Sequence, residues 1–280
     1  MLAMLVMMVM LIMLIKLIML IMLIMLVGRM VVNRPRYPSL ERFVNGIQPS
    51  QPPLQIIILT RFSILDYNAT NWKLSRNNHK HHMKAALFHP RRLSEKFEAF
   101  ERITFPSVMN QTYKNFTWLI HTSSQLPLQW KQRLERIIAS SPASQRIQLS
   151  YVDSVRDSEG RMTKYINAVQ TDYFSMRLDD DDGLNERFFE NLQKYQHHPT
   201  NTIVSHPRGH RITLRNGKVV VGSKHYEKNI ALGLAIKNDN IFNSRHHHHV
   251  YKTRTVIYDD LDDAFFVFCS PYTDTSWRFY

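Results

Sequence analysis

LQIIILTRF, residues 54–62, is the stretch of sequence that decides the fold. Its apolar residues run almost without interruption, whereas a strand with one face in water would alternate apolar and polar residues. A short apolar run that ends in polar residues is typical of a strand buried on both faces of a parallel sheet. This stretch therefore predicts that a layered α/β domain begins near Leu54.

Beyond this strand, strand-like and helix-like segments alternate along the chain. Strands are predicted over 115–122, 146–152 and 173–178, and helices from Pro90, from Pro127, over 162–170 and over 188–195. This alternation predicts a largely parallel sheet flanked by helices. After Thr202 the pattern changes, because Asn216 and Gly217 stand between two β-like runs and indicate a hairpin. The expected fold class is α/β with an antiparallel C-terminal portion.

RLDDDDGL, residues 177–184, places four carboxylates in a row directly after the predicted strand 173–178. Open α/β sheets bind ligands at the carboxyl ends of their strands, and adjacent carboxylates repel one another unless a cation compensates them. Mn²⁺ or Mg²⁺ would suit these oxygen ligands, together with the phosphates of a substrate. The alternative is a solvated acidic turn that complements the dipole of the following helix.

Three stretches together resemble a known family, namely TRF at 60–62, FPSVMNQTYKNFTWLI at 105–120 and RLDDDDGLN at 177–185. The family is that of the putative rhamnosyltransferases, which are GT-A-type glycosyltransferases. The resemblance spans most of residues 54–200. It implies a GT-A-like domain over 54–280, built on a largely parallel nucleotide-binding sheet.

A weaker continuation of the same resemblance takes in residues 229–236 and 271–277. Proteins similar to this chain extend further than Tyr280. The resemblance therefore implies that the domain is truncated at its C-terminal end, and such a truncation would impair activity.

The resemblance implies transfer of a sugar, rhamnose by the family label, from a nucleotide-diphosphate sugar to a glycan or other hydroxyl acceptor. It also implies that Asp179 and Asp181 form an Asp-x-Asp pair, with Mn²⁺ or Mg²⁺ held by Asp179, Asp181 and Asp182. The physical logic agrees, because the leaving group is a nucleoside diphosphate whose developing negative charge a divalent ion can neutralise. Asp180 is expected to share the donor site.

Two arginines are candidates for contacts to the donor nucleotide or its phosphates. Arg61 ends the first predicted strand, and Arg177 immediately precedes the acidic run. A guanidinium matches phosphate oxygens in charge and geometry. For each arginine the alternative is a structural ion pair. Together with Asp179 and Asp180, they form the expected donor-binding set.

The acceptor base is sought in a late acidic cluster that contains Asp259, Asp260, Asp262 and Asp263. An inverting transferase needs one carboxylate near the acceptor hydroxyl. Asp259 and Asp260 are the candidates, although no motif selects between them and an exposed acidic loop is the alternative. Whether transfer inverts or retains the anomeric configuration stays open.

Two other function classes are weighed against glycosyl transfer. A metal-dependent phosphohydrolase or nucleotidyltransferase could use the same aspartates, but it would need further carboxylates or a phosphate-binding glycine loop. The chain has no GxxxxGK[ST] or GxGxxG pattern and only 8 glycines. The other alternative is a membrane-tethered, non-catalytic protein that binds glycan or nucleotide with a transferase-like fold.

Residues 1–27 are apolar except for Lys16, and as a helix they are long enough to cross a bilayer. The sequence therefore predicts a single-pass transmembrane anchor over 1–27 and a stalk over 28–53 that is rich in Pro, Arg, Ser and Gln. A cleaved signal peptide is one alternative. Another is a translated simple repeat upstream of a start at Met30, which would leave a soluble protein.

The side of the membrane that carries the domain stays open. Arginines at 29, 34 and 36 follow the apolar segment and favour a cytosolic face. Three glycosylation triplets, which begin at Asn68, Asn110 and Asn115, favour the lumen of the endoplasmic reticulum or Golgi.

The charge and the remaining residue clusters limit the possible partners. Lys and Arg number 36 against 23 Asp and Glu, which gives a formal charge of +13. No dense basic tract, zinc finger or ribonucleoprotein motif accompanies that charge, so no nucleic-acid partner is expected, and the charge suits an anionic membrane or phosphorylated donors. Cys269 is the only cysteine, which excludes an internal disulfide. Histidine runs near 79–82 and over 246–249 indicate adventitious metal binding.

Overall fold

The computed structural model describes residues 53–68, 80–228, 230–241 and 254–270, all within the unit Pro52–Tyr280. The helices are α1 (Lys80–Leu87), α2 (Pro90–Ala99), α3 (Phe105–Met109), α4 (Leu128–Ala139), α5 (Val155–Asn167) and α6 (Phe188–Leu192). The strands are β1 (Gln55–Phe62), β2 (Phe116–Ser123), β3 (Ile147–Val152), β4 (Tyr173–Arg177), β5 (Gly183–Leu184), β6 (Ile203–Ser205), β7 (Arg208–Arg215), β8 (Lys218–Tyr226), β9 (Leu234–Lys237), β10 (Val256–Tyr258) and β11 (Phe265–Phe268).

A seven-stranded sheet with the order β10-β6-β9-β4-β1-β2-β3 forms the centre of the domain. β9 pairs antiparallel with both of its neighbours, and every other pairing in this sheet is parallel. The prediction of an α/β fold with a largely parallel sheet is therefore confirmed.

β1 is buried on both faces, as its sequence predicts. Ile56 and Ile58 pack in a core cluster that includes Phe97 of α2, and Ile57 and Leu59 pack with residues of α5. All four side chains are fully buried. Each contributes about 2 to 5 kcal/mol relative to alanine, so β1 fixes the positions of helices on both sides of the sheet.

The second sheet has the order β5-β11-β7-β8 and follows the prediction only in part. The hairpin β7–β8 is present, and Asn216 and Gly217 have positive φ angles of 50° and 70° at its turn. β11, however, pairs parallel with β7, while β6 and β10 join the first sheet. The region after Thr202 thus contains both parallel and antiparallel strand pairs, rather than antiparallel pairs alone, and its strands belong to two sheets.

β11 and β7 approach closely at Gly209. A Cβ atom added to Gly209 would lie 2.4 Å from the carbonyl oxygen of Phe265. The parallel pairing therefore requires glycine at this position. On the other side of β7, β8 is the outer strand of the second sheet, and it leaves Val219, Val220 and Val221 exposed.

The predicted helix from Pro90 is interrupted by a π-helical turn, Phe100–Thr104, before it continues as α3. Pro106 has no backbone N–H to donate to the carbonyl of residue 102, so the regular hydrogen-bond ladder cannot run through this point. The aromatic side chain of Phe100 is fully buried in this turn. The turn therefore keeps the apolar face of the helix against the sheet.

Two other helices differ from their predicted limits. α5 begins at Val155 because the hydroxyl of Ser154 accepts a hydrogen bond from the backbone N–H of Asp157 at 3.1 Å and caps the helix. Its first turns are polar, which is why apolar spacing alone placed the start at Met162. The helix predicted over 188–195 divides into α6 and a 3₁₀ turn, Gln193–Tyr195.

Several sequence predictions lie outside the described residues. They are the anchor over 1–27, nearly all of the stalk over 28–53, the histidines at 246–249 and the continuation over 271–277. No helix within the described ranges combines the length and apolar character needed to span a bilayer. Two glycosylation triplets lie within the described residues. Asn110 is exposed, whereas the Asn115 side-chain amide donates to the carbonyl of Leu54 at 3.0 Å. This contact makes Asn115 a poor acceptor for a glycan.

Candidate functional site

The parallel strands bring the predicted site residues to one edge of the first sheet. Arg61 lies near the end of β1, Arg177 ends β4, and Asp259 directly follows β10. β4 and β10 point the same way, because β4 pairs antiparallel with β9, and β10 pairs parallel with β6, which also pairs antiparallel with β9. With strands about 4.8 Å apart, β10 lies roughly 14 Å from β4. The edge is thus wide enough for a ligand of several rings.

The acidic run after β4 turns inward. Asp180, Asp181 and Asp182 are buried, whereas the side chain of Asp179 is 48% exposed. Lys96 Nζ lies 2.8 Å from Asp180 Oδ1 and 2.6 Å from Asp181 Oδ2. The run is therefore not a solvated acidic turn, and its two central carboxylates share one ammonium.

Lys96 reaches the run because of its position on α2. Leu93, Phe97 and Phe100 are buried at helical spacing, and Lys96 falls within the same stripe of the helix. Its side chain is only 11% exposed. A buried ammonium without a counter-charge would cost several kcal/mol, so the contact with the two carboxylates is what makes this position tolerable.

The protonation of this group of charges follows from its contacts. Burial lowers the pKa of Lys96, but Asp180 and Asp181 outweigh it and raise that pKa above the ordinary value. Burial raises the pKa of Asp181 to about 6, opposed by Lys96 and reinforced by Asp180. The ammonium is therefore charged at neutral pH.

Asp182 faces the second sheet. Its Oδ1 accepts a hydrogen bond from the backbone N–H of Phe268 in β11 at 2.8 Å. Burial, with the neighbouring charges of Asp181 and Asp179, raises the pKa of Asp182 well above its ordinary value. Asp182 thus joins the acidic run to β11.

Two arginines lie together beside the exposed member of the run. Arg177 Nε lies 3.2 Å from Asp179 Oδ1, and Arg61 Nη1 lies 3.9 Å from Glu159 Oε1 on α5. Burial, followed by the charge of Arg177, lowers the pKa of Arg61 to about 10, while Asp179 and Glu159 oppose the shift. The Arg61 guanidinium stays charged at neutral pH, and together with Arg177 it forms a positive site at the ends of β1 and β4.

Asp259 belongs to an internal hydrogen-bond network. Its carboxylate accepts from the hydroxyl of Tyr195 and, at 2.7 Å, from the backbone N–H of Leu261, while His206 Nε2 lies 3.6 Å away. Burial pushes the pKa of Asp259 upward, but the hydrogen bonds from Tyr195 and Asn191 hold it below its ordinary value. These contacts disfavour Asp259 as an acceptor base.

Asp260 is exposed at the same edge of the sheet. Its backbone carbonyl accepts from Arg208 Nη1 at 3.1 Å, which holds the segment after β10 against β7. Of the two candidate bases, Asp260 is the one that solvent or an acceptor can reach.

A family model described as putative rhamnosyl transferase matches residues 55–273, which is more than half of the chain. The chain belongs to this family. The resemblance indicated by the sequence motifs is thus confirmed. The family description names a glycosyltransferase activity. No match was found among curated protein sequences.

Among solved structures, this family member is similar to TarS of S. aureus. For TarS 1-349 in complex with UDP-GlcNAc, the TM-score is 0.45 at 9% identity, over 81% of this chain and 62% of that chain. For TarS 1-349, the TM-score is 0.43 at 10% identity, over 77% of this chain and 60% of that chain. The chain therefore spans less than two thirds of the length of either TarS chain.

The positions of the acidic residues in this rhamnosyl transferase family member show whether they could bind the predicted metal ion together. Within the described ranges, no group of three or more His, Cys, Asp or Glu side chains is arranged to hold a metal ion. Asp181 contacts Lys96 and Asp182 contacts β11, while Asp179 lies beside Arg177. These residues do not fit a Mn²⁺ or Mg²⁺ ion held jointly by Asp179, Asp181 and Asp182.

Several residues of this edge were not predicted from the sequence. Lys96 is the main one, and its signal is a lysine among the apolar positions of a predicted helix. Ser63 has a positive φ of 49° directly after β1, and its hydroxyl accepts from Arg92 Nη1 at 3.2 Å. A strained residue at the end of a sheet strand is typical of a functional edge.

Proposed function

We propose that the chain is a glycosyltransferase that moves a sugar from a nucleotide-diphosphate sugar to the hydroxyl of a glycan or other acceptor. Its family membership supports glycosyl transfer. The observation that carries the proposal is the pair of partly buried arginines, Arg61 and Arg177, beside the half-exposed Asp179 at the carboxyl edge of a parallel sheet. Sheets of this kind bind nucleotides at that edge.

The two arginines are the proposed ligands of the donor diphosphate. As the bond from the sugar to the diphosphate breaks, negative charge grows on the leaving phosphate, and fixed guanidiniums stabilise it. Because ion pairs with Glu159 and Asp179 hold Arg61 and Arg177 in place, little reorganisation is needed when the charge develops. Asp179 is the proposed acceptor of hydrogen bonds from ribose or sugar hydroxyls.

Asp260 is the proposed base for the acceptor hydroxyl. Its carboxylate is exposed, and β10 lies roughly 14 Å from β4, which leaves room for a sugar and an acceptor between them. Removing the hydroxyl proton makes the acceptor oxygen a better nucleophile toward the anomeric carbon. Asp259 is proposed only as a structural neighbour that positions this segment.

The requirement for Mn²⁺ or Mg²⁺ stays a prediction of the family resemblance. A divalent ion would supply charge neutralisation to the diphosphate. The contacts of Asp181 and Asp182 disfavour it, as described above. Rhamnose is likewise a proposal from the family label, and UDP-GlcNAc, present in a TarS structure, is the second donor to test.

Release of nucleoside diphosphate by the purified full chain tests this function. The donors are dTDP-rhamnose, UDP-rhamnose, UDP-GlcNAc and UDP-glucose, each with Mn²⁺, Mg²⁺ or EDTA. We expect turnover with one donor, lowered about 100-fold or more in Asp179→Asn. Glu186→Gln, an exposed carboxylate just after the acidic run, is the matched control and is expected to stay within twofold of the wild type.

Calorimetry with the same donors separates an enzyme from a binding protein. Binding without release of product would support the non-catalytic, membrane-tethered alternative. A folded chain that neither binds nor cleaves any donor would refute both proposals.

We also propose that residues 1–27 anchor the protein in a membrane as a single span. Their composition supports this, since Lys16 is the only charged residue among them. Extraction of membranes with alkaline carbonate should leave the full chain in the pellet and release a chain that begins at Arg29. Release of both would contradict the anchor.

A further inference from the structure

Three of the four carboxylates at 179–182 contact cations of the protein itself. Lys96 contacts both Asp180 and Asp181, and Arg177 contacts Asp179. Arg92 lies close enough to Lys96 that its charge opposes protonation of the lysine. Much of the negative charge that would otherwise require a bound metal ion is thus already compensated by Lys96 and Arg177.

The ammonium and a metal ion compete for the same oxygens. A divalent ion bound to Asp180 Oδ1 and Asp181 Oδ2 would lie about 2.0 to 2.6 Å from each. Lys96 Nζ lies 2.8 and 2.6 Å from these atoms. Two cations cannot share this space without strong repulsion, so only one can bind at a time.

Lys96 cannot easily withdraw from this position. Its side chain is nearly buried and belongs to the apolar stripe of α2, which packs on β1. Removal of the ammonium from the carboxylates would leave it in an apolar region, where an unpaired charge is costly. A metal ion would therefore have to displace a group that has no better environment nearby.

We infer that Lys96 is a built-in substitute for a divalent cation in this site. Its ammonium takes the position between Asp180 and Asp181, and the arginines supply the remaining charge toward the donor diphosphate. Lys96 acts as a positioning residue, because it holds the acidic run so that Asp179 faces the donor. The consequence for turnover rests on the proposed function, whereas the consequence for metal binding does not.

Binding of Mn²⁺, measured by electron paramagnetic resonance, tests the inference without any substrate. The wild type is expected to bind Mn²⁺ only weakly. Lys96→Met keeps the length of the side chain but removes its charge, and it should bind Mn²⁺ at least about tenfold more tightly. Lys164→Met, which removes an exposed lysine of α5, is the matched control and should behave as the wild type.

Two outcomes of this measurement overturn the inference. One is tight Mn²⁺ binding by the wild type, with an affinity similar to that of Lys96→Met. The other is the absence of any gain in Lys96→Met, because the two cations would then not occupy equivalent positions.

Thermal unfolding covers the case in which Lys96→Met folds poorly. Mn²⁺ should raise the unfolding midpoint of the variant, or restore its folding, and leave that of the wild type unchanged. Lys96→Arg keeps the charge and should need no Mn²⁺. A variant that stays unfolded in Mn²⁺ would show that Lys96 is only a packing residue and overturn the inference.

Turnover provides a second readout. The wild type is expected to be active in EDTA, whereas Lys96→Met is expected to require Mn²⁺ or Mg²⁺. Loss of wild-type activity in EDTA with recovery in Mn²⁺ would overturn the inference. If no donor is turned over, the proposed function fails, and the Mn²⁺ binding data decide the inference separately.

Discussion

The two acidic runs of the chain, 179–182 after β4 and 259–263 after β10, end strands of the same sheet at the same edge. Their orientations are opposite. The first run has its exposed carboxylate at the start, at Asp179, and then turns inward. The second begins with the buried Asp259 and then turns outward. An acidic run thus identifies an edge of the sheet but does not tell which carboxylate faces a ligand.

The buried carboxylates of the two runs are also stabilised in different ways. Asp180 and Asp181 receive the full charge of Lys96, whereas Asp259 receives neutral donors, the hydroxyl of Tyr195 and a backbone N–H. A charged partner makes the first run sensitive to the loss of one side chain. Neutral donors make the second run less dependent on any single partner.

Replacement of Lys96 by Met should have the largest effect on stability. It leaves two buried carboxylates without their counter-charge, and the expected loss in the free energy of unfolding is about 3 to 5 kcal/mol. Urea denaturation in metal-free buffer measures it. In Lys164→Met the expected change is below about 0.5 kcal/mol. Equal effects of the two substitutions would refute the central role given to Lys96.

Asp259→Asn should lower the free energy of unfolding less than Lys96→Met does. The amide cannot accept from both Tyr195 and the backbone of Leu261 as the carboxylate does, and the expected loss is about 1 to 3 kcal/mol. Because the native pKa of Asp259 lies below its unfolded value, its contribution is present above the unfolded pKa and is lost as the pH falls through the native one.

Urea denaturation of the wild type and Asp259→Asn between pH 3 and 7 measures this. Plotted against pH, the free energies of unfolding of the wild type and the variant should converge in acid. A difference that stays constant over this range would show that ionisation of Asp259 contributes nothing to the network.

Asp182→Asn should change the free energy of unfolding less than Asp259→Asn does. Its effect should also depend on pH in the opposite direction. The native pKa of Asp182 lies above its unfolded value, so its contribution is present below the unfolded pKa and is lost as the pH rises through the native one. The amide does not titrate and can still accept from the N–H of Phe268. Relative to the wild type, the variant should therefore gain stability as the pH is raised, which thermal unfolding at pH 5 and pH 8 would reveal. A gain in acid instead would contradict the buried position of Asp182.

Asp260→Asn should have the smallest effect on stability, within about 0.5 kcal/mol, because the side chain is exposed. Its expected effect is on turnover, with sugar transfer lowered about 100-fold and donor binding unchanged. Transfer assays and calorimetry on the same sample separate the two. Unchanged transfer would remove Asp260 as the base.

Much of the fold could be predicted from local sequence. The apolar runs of β1, β2 and β4 define buried strands, and Asn216 and Gly217 define the hairpin turn. The parallel pairing of β11 with β7 could not be predicted, because a glycine such as Gly209 permits a close approach of strands but does not identify the partner strand. The same applies to β6 and β10, which are strands of only three residues.

The site was predicted less completely than the fold. The acidic run, Arg61 and Arg177 could be found because they directly follow or end predicted strands. The partner of the run, Lys96, lies more than 80 residues earlier in the chain, on the helix that was predicted from Pro90 without any link to the acidic run. A charged residue within an apolar helix stripe indicates a buried partner but does not identify it.

The outer strand of the second sheet has a practical consequence for work with this protein. No strand within the described ranges pairs with the outer edge of β8, and the side chains of Val219, Val220 and Val221 are exposed there. Such an edge is a template on which strands of other molecules can add, so concentrated samples are expected to associate slowly through it. Lys218 and Lys224 flank the valines in the same strand, and their charges oppose stacking of identical chains. Storage in low salt, where this repulsion is least screened, should therefore preserve single molecules best.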